Sequence, residues 1–282
     1  MDLSRRDFLK IGVLGSSFLA MPCICGEFLQ KVPFILQSKN VGKPESFIFV
    51  YGSYFQPLIT AISFEPLDER ILLANYPFET NPEIIEHGNA NSLGKLQKKL
   101  AAADVLVVTT CYPERDLYFG QNLADSAENA FLKLFFTPRK VPIDHFTSQI
   151  FYQQRRENFS AQMAHFLALV VGSGSREGYI GLKVNDLLEV CKMTNLHFRS
   201  YPWSGGNSLR EFLTTCFSEM EGEKIACDKV CFAMLFGDET ATLDRVLKTK
   251  DIILNSLGGP DIFLFNWLPR RDGYHSLSML IG

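Results

Sequence analysis

Tryptophan is scarce in this chain, with Trp203 and Trp267 alone among 282 residues, and histidine amounts to five. His87, His145, His165, His197 and His275 are scattered, with no pair at the three- or four-residue spacing that puts two imidazoles on one helix face, so no helical metal motif is present. Basic charge is not in excess: 28 Lys and Arg against 31 Asp and Glu leave a net charge of −3. That argues against nucleic acid as a partner, because phosphate backbones are bound by a clustered basic face. Beyond residue 25 the cysteines are Cys111, Cys191, Cys216, Cys227 and Cys231. An odd number at irregular spacing is no disulfide framework. The Cys227-x-x-x-Cys231 pair, with no histidine nearby, reads as buried apolar thiols rather than as a metal site. A dinucleotide fingerprint is missing. Gly172-Ser173-Gly174-Ser175 lacks the Gly-x-Ser-x-Gly order of a nucleophile elbow and reads as a loop. No cofactor, no metal and no catalytic residue are expected.

What is present begins at the N-terminus. Ser4-Arg5-Arg6-Asp7-Phe8-Leu9-Lys10 precedes an uncharged run from Ile11 to Cys25. The segment resembles a twin-arginine export signal, in which Ser4, Arg5, Arg6, Phe8, Leu9 and Lys10 are the recognised positions. The run is shorter than the ~20 residues that cross a bilayer, and Gly12, Gly15, Ser16, Ser17 and Pro22 dilute it, which suits an export segment better than a stable span. Residues 1–25 are therefore expected to be a signal peptide read by the twin-arginine translocation machinery, placing the protein in the periplasm. Cys23-Ile24-Cys25 before Gly26 offers small residues to a peptidase without an Ala-x-Ala. An uncut signal would instead tether the chain to the periplasmic side of the membrane.

The remainder, 46% hydrophobic and 21% charged over the whole chain, has the composition and length of a folded protein with a sizeable core. Folded structure is expected from about Phe47. Phe47–Tyr51 and Arg70–Ala74 read as strands, Phe55–Ile62 as a helical turn, and Asn81-Pro82-Glu83 as a helix start. Leu93, Leu96 and Leu100 stand at helical spacing. Asp104–Thr110, apolar without alternation, reads as a central parallel strand, and Asn122–Leu134 as the helix after it. Alternation of this kind predicts a parallel, helix-covered sheet. A long helix over Glu157–Val171 then leads to helices at Asn185–Met193, Asn207–Met220 and Thr240–Leu257. Strands are expected at Leu196–Ser200, Val230–Phe236, Asp261–Trp267 and Ser276–Ile281. The fold class is thus α/β: a parallel-sheet N-terminal part, 47–177, packed on a smaller α+β domain, 178–282, with helices on one face of a mixed sheet. Phe198, Phe212, Phe232, Leu235, Leu247, Ile253, Phe263 and Leu280 are its predicted core, with Lys248 and Lys250 in water.

This order of elements resembles the tubulin-like protein FtsZ. Ile180-Gly181-Leu182-Lys183-Val184-Asn185-Asp186-Leu187 is similar to that family's synergy loop, and Trp203-Ser204-Gly205-Gly206-Asn207 to the segment before a later helix. Asn81-Pro82-Glu83 and Ala102–Thr109 look like its Asn-Pro-Glu and Gly-Ala-Asp-Met-Val-Phe-Ile-Thr segments. The resemblance spans about 47–282, and makes 47–177 the counterpart of the family's nucleotide domain.

The departures bear on function. The family cradles phosphates on a glycine loop, because bare amides converge on an anion only where no Cβ intervenes. Here the place reads Cys111-Tyr112-Pro113-Glu114-Arg115-Asp116, in which Arg115 alone could attract an anion. Tyr51–Gln56 replaces a second glycine run. On the synergy loop, whose acids polarise water, Lys183 and Gly181 stand at two motif positions and Asp186 is the one weak match. Phe135–Glu157 is too short for the family's later nucleotide-domain strands. The resemblance thus implies a fold without nucleotide hydrolysis, acting through an unidentified protein partner or self-association. The alternatives are a periplasmic accessory protein of an exported redox enzyme, and a cytoplasmic, cell-division-related GTP-binding protein.

Overall fold

The computed structural model describes residues 58–65, 67–76, 83–86, 93–153, 158–173, 178, 182, 184–193, 195–203, 208–223, 227, 229–270 and 275–282. The expected strand at Phe47–Tyr51 and the export-signal residues lie outside them. Strand β1, Ile59–Ser63, is buried along its whole length and stands where a helical turn was expected. Helix α1, Glu69–Asn75, replaces the expected strand at Arg70–Ala74. The reason is Asp68, whose Oδ1 accepts from the amides of Arg70 (3.0 Å) and Ile71 (3.2 Å) and so caps the first turn. Strand β2, Glu83–Glu86, occupies the expected helix start. Helix α2, Leu93–Ala102, and strand β3, Val105–Thr109, fall where the leucine spacing and the apolar run put them.

Helix α3 is Pro113–Ser126, earlier than the expected Asn122–Leu134. Proline at its first position needs no amide partner there, and Glu114 and Asp116 favour the positive end of the helix dipole. The apolar residues read as the helix's end belong to strand β4, Leu132–Thr137. Strand β5, Ser148–Phe151, follows, so the segment judged too short does hold a further strand. It fits because residues 138–147, which join two parallel strands, contain no helix. Helix α4, Phe159–Gly172, is buried on nearly every side, and the Asn158 side chain caps it by accepting from Ser160 N.

Helix α5, Val184–Cys191, strand β6, Leu196–Trp203, and helix α6, Leu209–Gly222, follow in the expected order. A reciprocal Ser208–Glu211 capping box opens α6. Strand β7 is Val230–Asp238, helix α7 Leu243–Ser256, strand β8 Ile262–Arg270 and strand β9 His275–Ile281. Gly258 and Gly259, at φ 77° and 76°, turn the chain from α7 into β8 through a region that L side chains avoid.

Among the described residues all nine strands form one sheet, in the order β2-β1-β3-β4-β5-β6-β9-β7-β8. Pairing is parallel from β2 to β6, antiparallel on both sides of β9, and parallel again between β7 and β8. One apolar layer, built on α4 and α5 with Phe136, Phe166, Phe198 and Phe232, runs beneath both halves of the sheet. The opposite face carries two separate layers. Leu213, Phe217, Trp267 and Met279 belong to the one under α6 and α7, and Leu100, Val108, Ala124 and Phe135 to the one under α2 and α3. Helices therefore cover both faces of the C-terminal half, not one. Of the predicted core, Phe198, Phe212, Phe232, Leu235, Ile253 and Leu280 are buried, whereas Phe263 and Leu247 are half-buried. Lys248 is exposed, and Lys250 is partly covered.

Candidate functional site

In open parallel sheets ligands bind beyond the carboxyl ends of the strands, where the strand order reverses direction. The chain passes from β1 to β2 on one side and then to β3 on the other, so the reversal lies between β1 and β3. Their ends are level, Ser63 opposite Thr109. The crevice they open onto is bounded by Glu65 after β1, by Thr110–Tyr112 after β3 and by the first turn of α3.

Its side chains bind one another. The buried Asp116 carboxylate accepts from Thr110 Oγ1 (2.5 Å), Arg115 Nε (2.6 Å) and Arg115 Nη2 (2.8 Å). Arg115 Nη2 also reaches Glu65 Oε1 at 3.3 Å, and its guanidinium lies 4.7 Å from the centre of the Tyr112 ring. Hydrogen bonding to Asp116, helped by Glu65, holds Arg115 even more firmly protonated than usual. Thr110 Oγ1 in turn accepts from Tyr112 N at 2.9 Å. From the end of β5 the Tyr152 hydroxyl lies 3.2 Å from both Thr110 O and Cys111 Sγ. Burial raises the Tyr152 and Cys111 pKa values, so both stay protonated at neutral pH.

No glycine stands between Thr110 and Asp116, Pro113 has no amide hydrogen, and two carboxylates, Asp116 and Glu65, face the Arg115 guanidinium. Arg115, the one residue the sequence left free to attract an anion, is engaged on both sides of the crevice. Glu65, Thr110 and Tyr152 were not singled out from the sequence. The Glu65–Arg115 contact spans 50 residues, and no local pattern signals it.

Asp186 takes no part in this network. It is half-buried in the first turn of α5, where a helix dipole stabilises an acid. Leu182 is buried, while Ile180, Gly181 and Lys183 of the synergy-loop match lie outside the described residues. Ser173, read as a loop residue, is buried, and its hydroxyl donates to Val170 O at 2.6 Å. Among the described residues no group of three or more His, Cys, Asp or Glu could hold a metal ion. No helix among them is long and apolar enough to cross a membrane.

No protein-family model matches the sequence, and no curated protein sequence matches it. Solved structures do. The chain is similar to an empty FtsZ dimer from M. jannaschii at TM-score 0.56 and 8% identity, over 81% of this chain and 89% of that one. It is similar to CetZ from Methanosaeta thermophila at TM-score 0.50 and 10% identity, over 80% and 86%. At such identities the likeness is one of fold, and the fold is that of the FtsZ/tubulin proteins.

Proposed function

We propose that this chain is an exported protein with the FtsZ fold that works through protein contacts rather than nucleotide chemistry. The observation that carries the proposal is the closed crevice between β1 and β3. Asp116 and Glu65 place two carboxylates on Arg115 where the fold would otherwise receive a phosphate, and no glycine amides converge there, so an incoming anion would meet acids and no backbone cradle. The N-terminal export motif supports the same reading from an independent direction, because the periplasm is not supplied with GTP. Titration calorimetry of the full chain with GTP and magnesium is the test. No saturable heat is expected at micromolar nucleotide. A micromolar affinity, or steady phosphate release, would overturn the proposal.

A further inference from the structure

The helix-free connection between β4 and β5 has a consequence at the other face of the sheet. That face is covered by α2 and α3 over β1, β3 and β4, and by α6 and α7 over the far strands. Between the two layers, at the end of β5 and the start of β6, lies a groove of about 540 Å³. Phe151 and His197 are register partners, and Arg199 lies two residues further along β6, so all three share this face. Adjacent strands stand about 4.8 Å apart, which sets β4 and β6 roughly 10 Å from each other with β5 as the floor.

The lining is basic. Arg139 and Lys140 come from the connection after β4, and Arg199 from β6, while among the described residues no carboxylate belongs to the lining. Two of the three cations have an acid behind them: Arg139 Nε is 3.1 Å from Glu114 Oε1, and the largely covered Arg199 donates from Nε to Glu223 Oε2 at 2.8 Å and from Nη1 to Phe198 O at 2.6 Å, which leaves Nη2 towards the groove. Lys140 Nζ donates to the neutral amide oxygen of Asn195 at 3.3 Å, a bond that leaves its charge in place. The wall carrying Arg139 and Lys140 is fixed from beneath. The buried Gln149 side chain donates to Thr137 Oγ1 (2.8 Å) and Arg139 O (2.9 Å), and accepts from Val141 N (3.2 Å). The backbone that carries the two cations is thus in place before a ligand arrives. His197 adds a ring nitrogen hydrogen beside Arg199, and its ring lies 5.3 Å from that of Phe151.

We infer that this groove binds small anions that carry phosphate or carboxylate oxygens, held between Arg139 and Lys140 on one wall and Arg199 with His197 on the other. The remaining guanidinium N–H groups and the Lys140 ammonium can donate to both kinds of oxygen, and the volume falls in the range of small-molecule sites. The groove lies over β5 and β6, apart from the crevice between β1 and β3.

Inorganic pyrophosphate and citrate, titrated separately into the full chain at low ionic strength, serve as probes. Saturable binding of at least one is expected, and Lys140→Glu is expected to weaken it by about tenfold or more. Saturation by one probe assigns the ligand to that class, and by both, to oxyanions in general. Lys248→Glu makes the same change of net charge at an exposed lysine on α7 and should leave the affinity unchanged. Circular dichroism of both variants checks the fold. Failure of both probes to saturate at ~10 mM, or equal weakening by the two variants, would overturn the assignment. Neither probe carries a nucleobase, and Lys140 lies outside the β1–β3 crevice, so this result is separable from the GTP titration.

Discussion

His197 and Glu223 illustrate how one side chain sets another's chemistry. Burial, then the neighbouring Arg199 cation, push the His197 pKa below its ordinary 6.5, while the Glu223 carboxylate opposes them. Glu223→Gln removes that opposition and is expected to lower the His197 pKa further, as read by an NMR titration of the ring carbons. An unchanged or raised value would mean that the Arg199–Glu223 pair does not govern the site. The same shift links stability to pH. The unfolded chain takes up its histidine proton near 6.5 and the folded one only lower down, so His197 costs no stability above 6.5. Its contribution is progressively lost as pH falls from 6.5 towards the folded value. Arg115 presents the reverse case, a cation held charged by Asp116 and Glu65.

Among the elements, β7 is flanked on both sides, paired along its length with β8 and from Cys231 to Phe236 with β9. Phe232 is fully buried in the layer beneath it. Phe232→Ala is expected to cost about 3–5 kcal/mol, through lost burial and an unfilled cavity, and to lower the denaturant midpoint accordingly. A midpoint within error of the parent would refute the placement of that residue in the core. Elements of this kind were legible in the sequence. Uninterrupted apolar runs such as Val105–Thr109 and Val230–Phe236 leave little choice of structure. The misread elements are those whose signal depends on a neighbour. Arg70–Ala74 has a strand's apolar content until Asp68 is seen to cap it, and α3 is polar enough that its proline start was read only as a spoiled phosphate loop. The absence of a glycine cradle at Cys111–Asp116 was also legible. That Arg115 would be consumed by Asp116 and by Glu65, 50 residues away, was not.

At the scale of the whole molecule, the proposed export would link address to fold, because the twin-arginine pathway carries chains that have already folded. Arg5→Lys combined with Arg6→Lys is expected to leave the protein folded but retained in the cytoplasm. Cell fractionation that finds the double variant exported like the parent would remove the export reading and leave the fold intact. The two halves of the molecule share one sheet, joined where Ile150 meets Leu196 and Phe151 meets His197.

The position of β9 orders events on the ribosome. It is the last of the nine strands to be synthesised, yet it lies between β6 and β7, and Gly282 exchanges hydrogen bonds with Val230 at the start of β7. Until it emerges, β7 and β8 can pair only with each other, and both β6 and β7 present open edges of the kind that recruit strands from other chains. The nascent chain therefore passes through an interval in which β1 to β8 exist and the pairing that joins β6 to β7 does not. Conditions that slow synthesis of β9 should favour aggregation more than those that slow synthesis of β1.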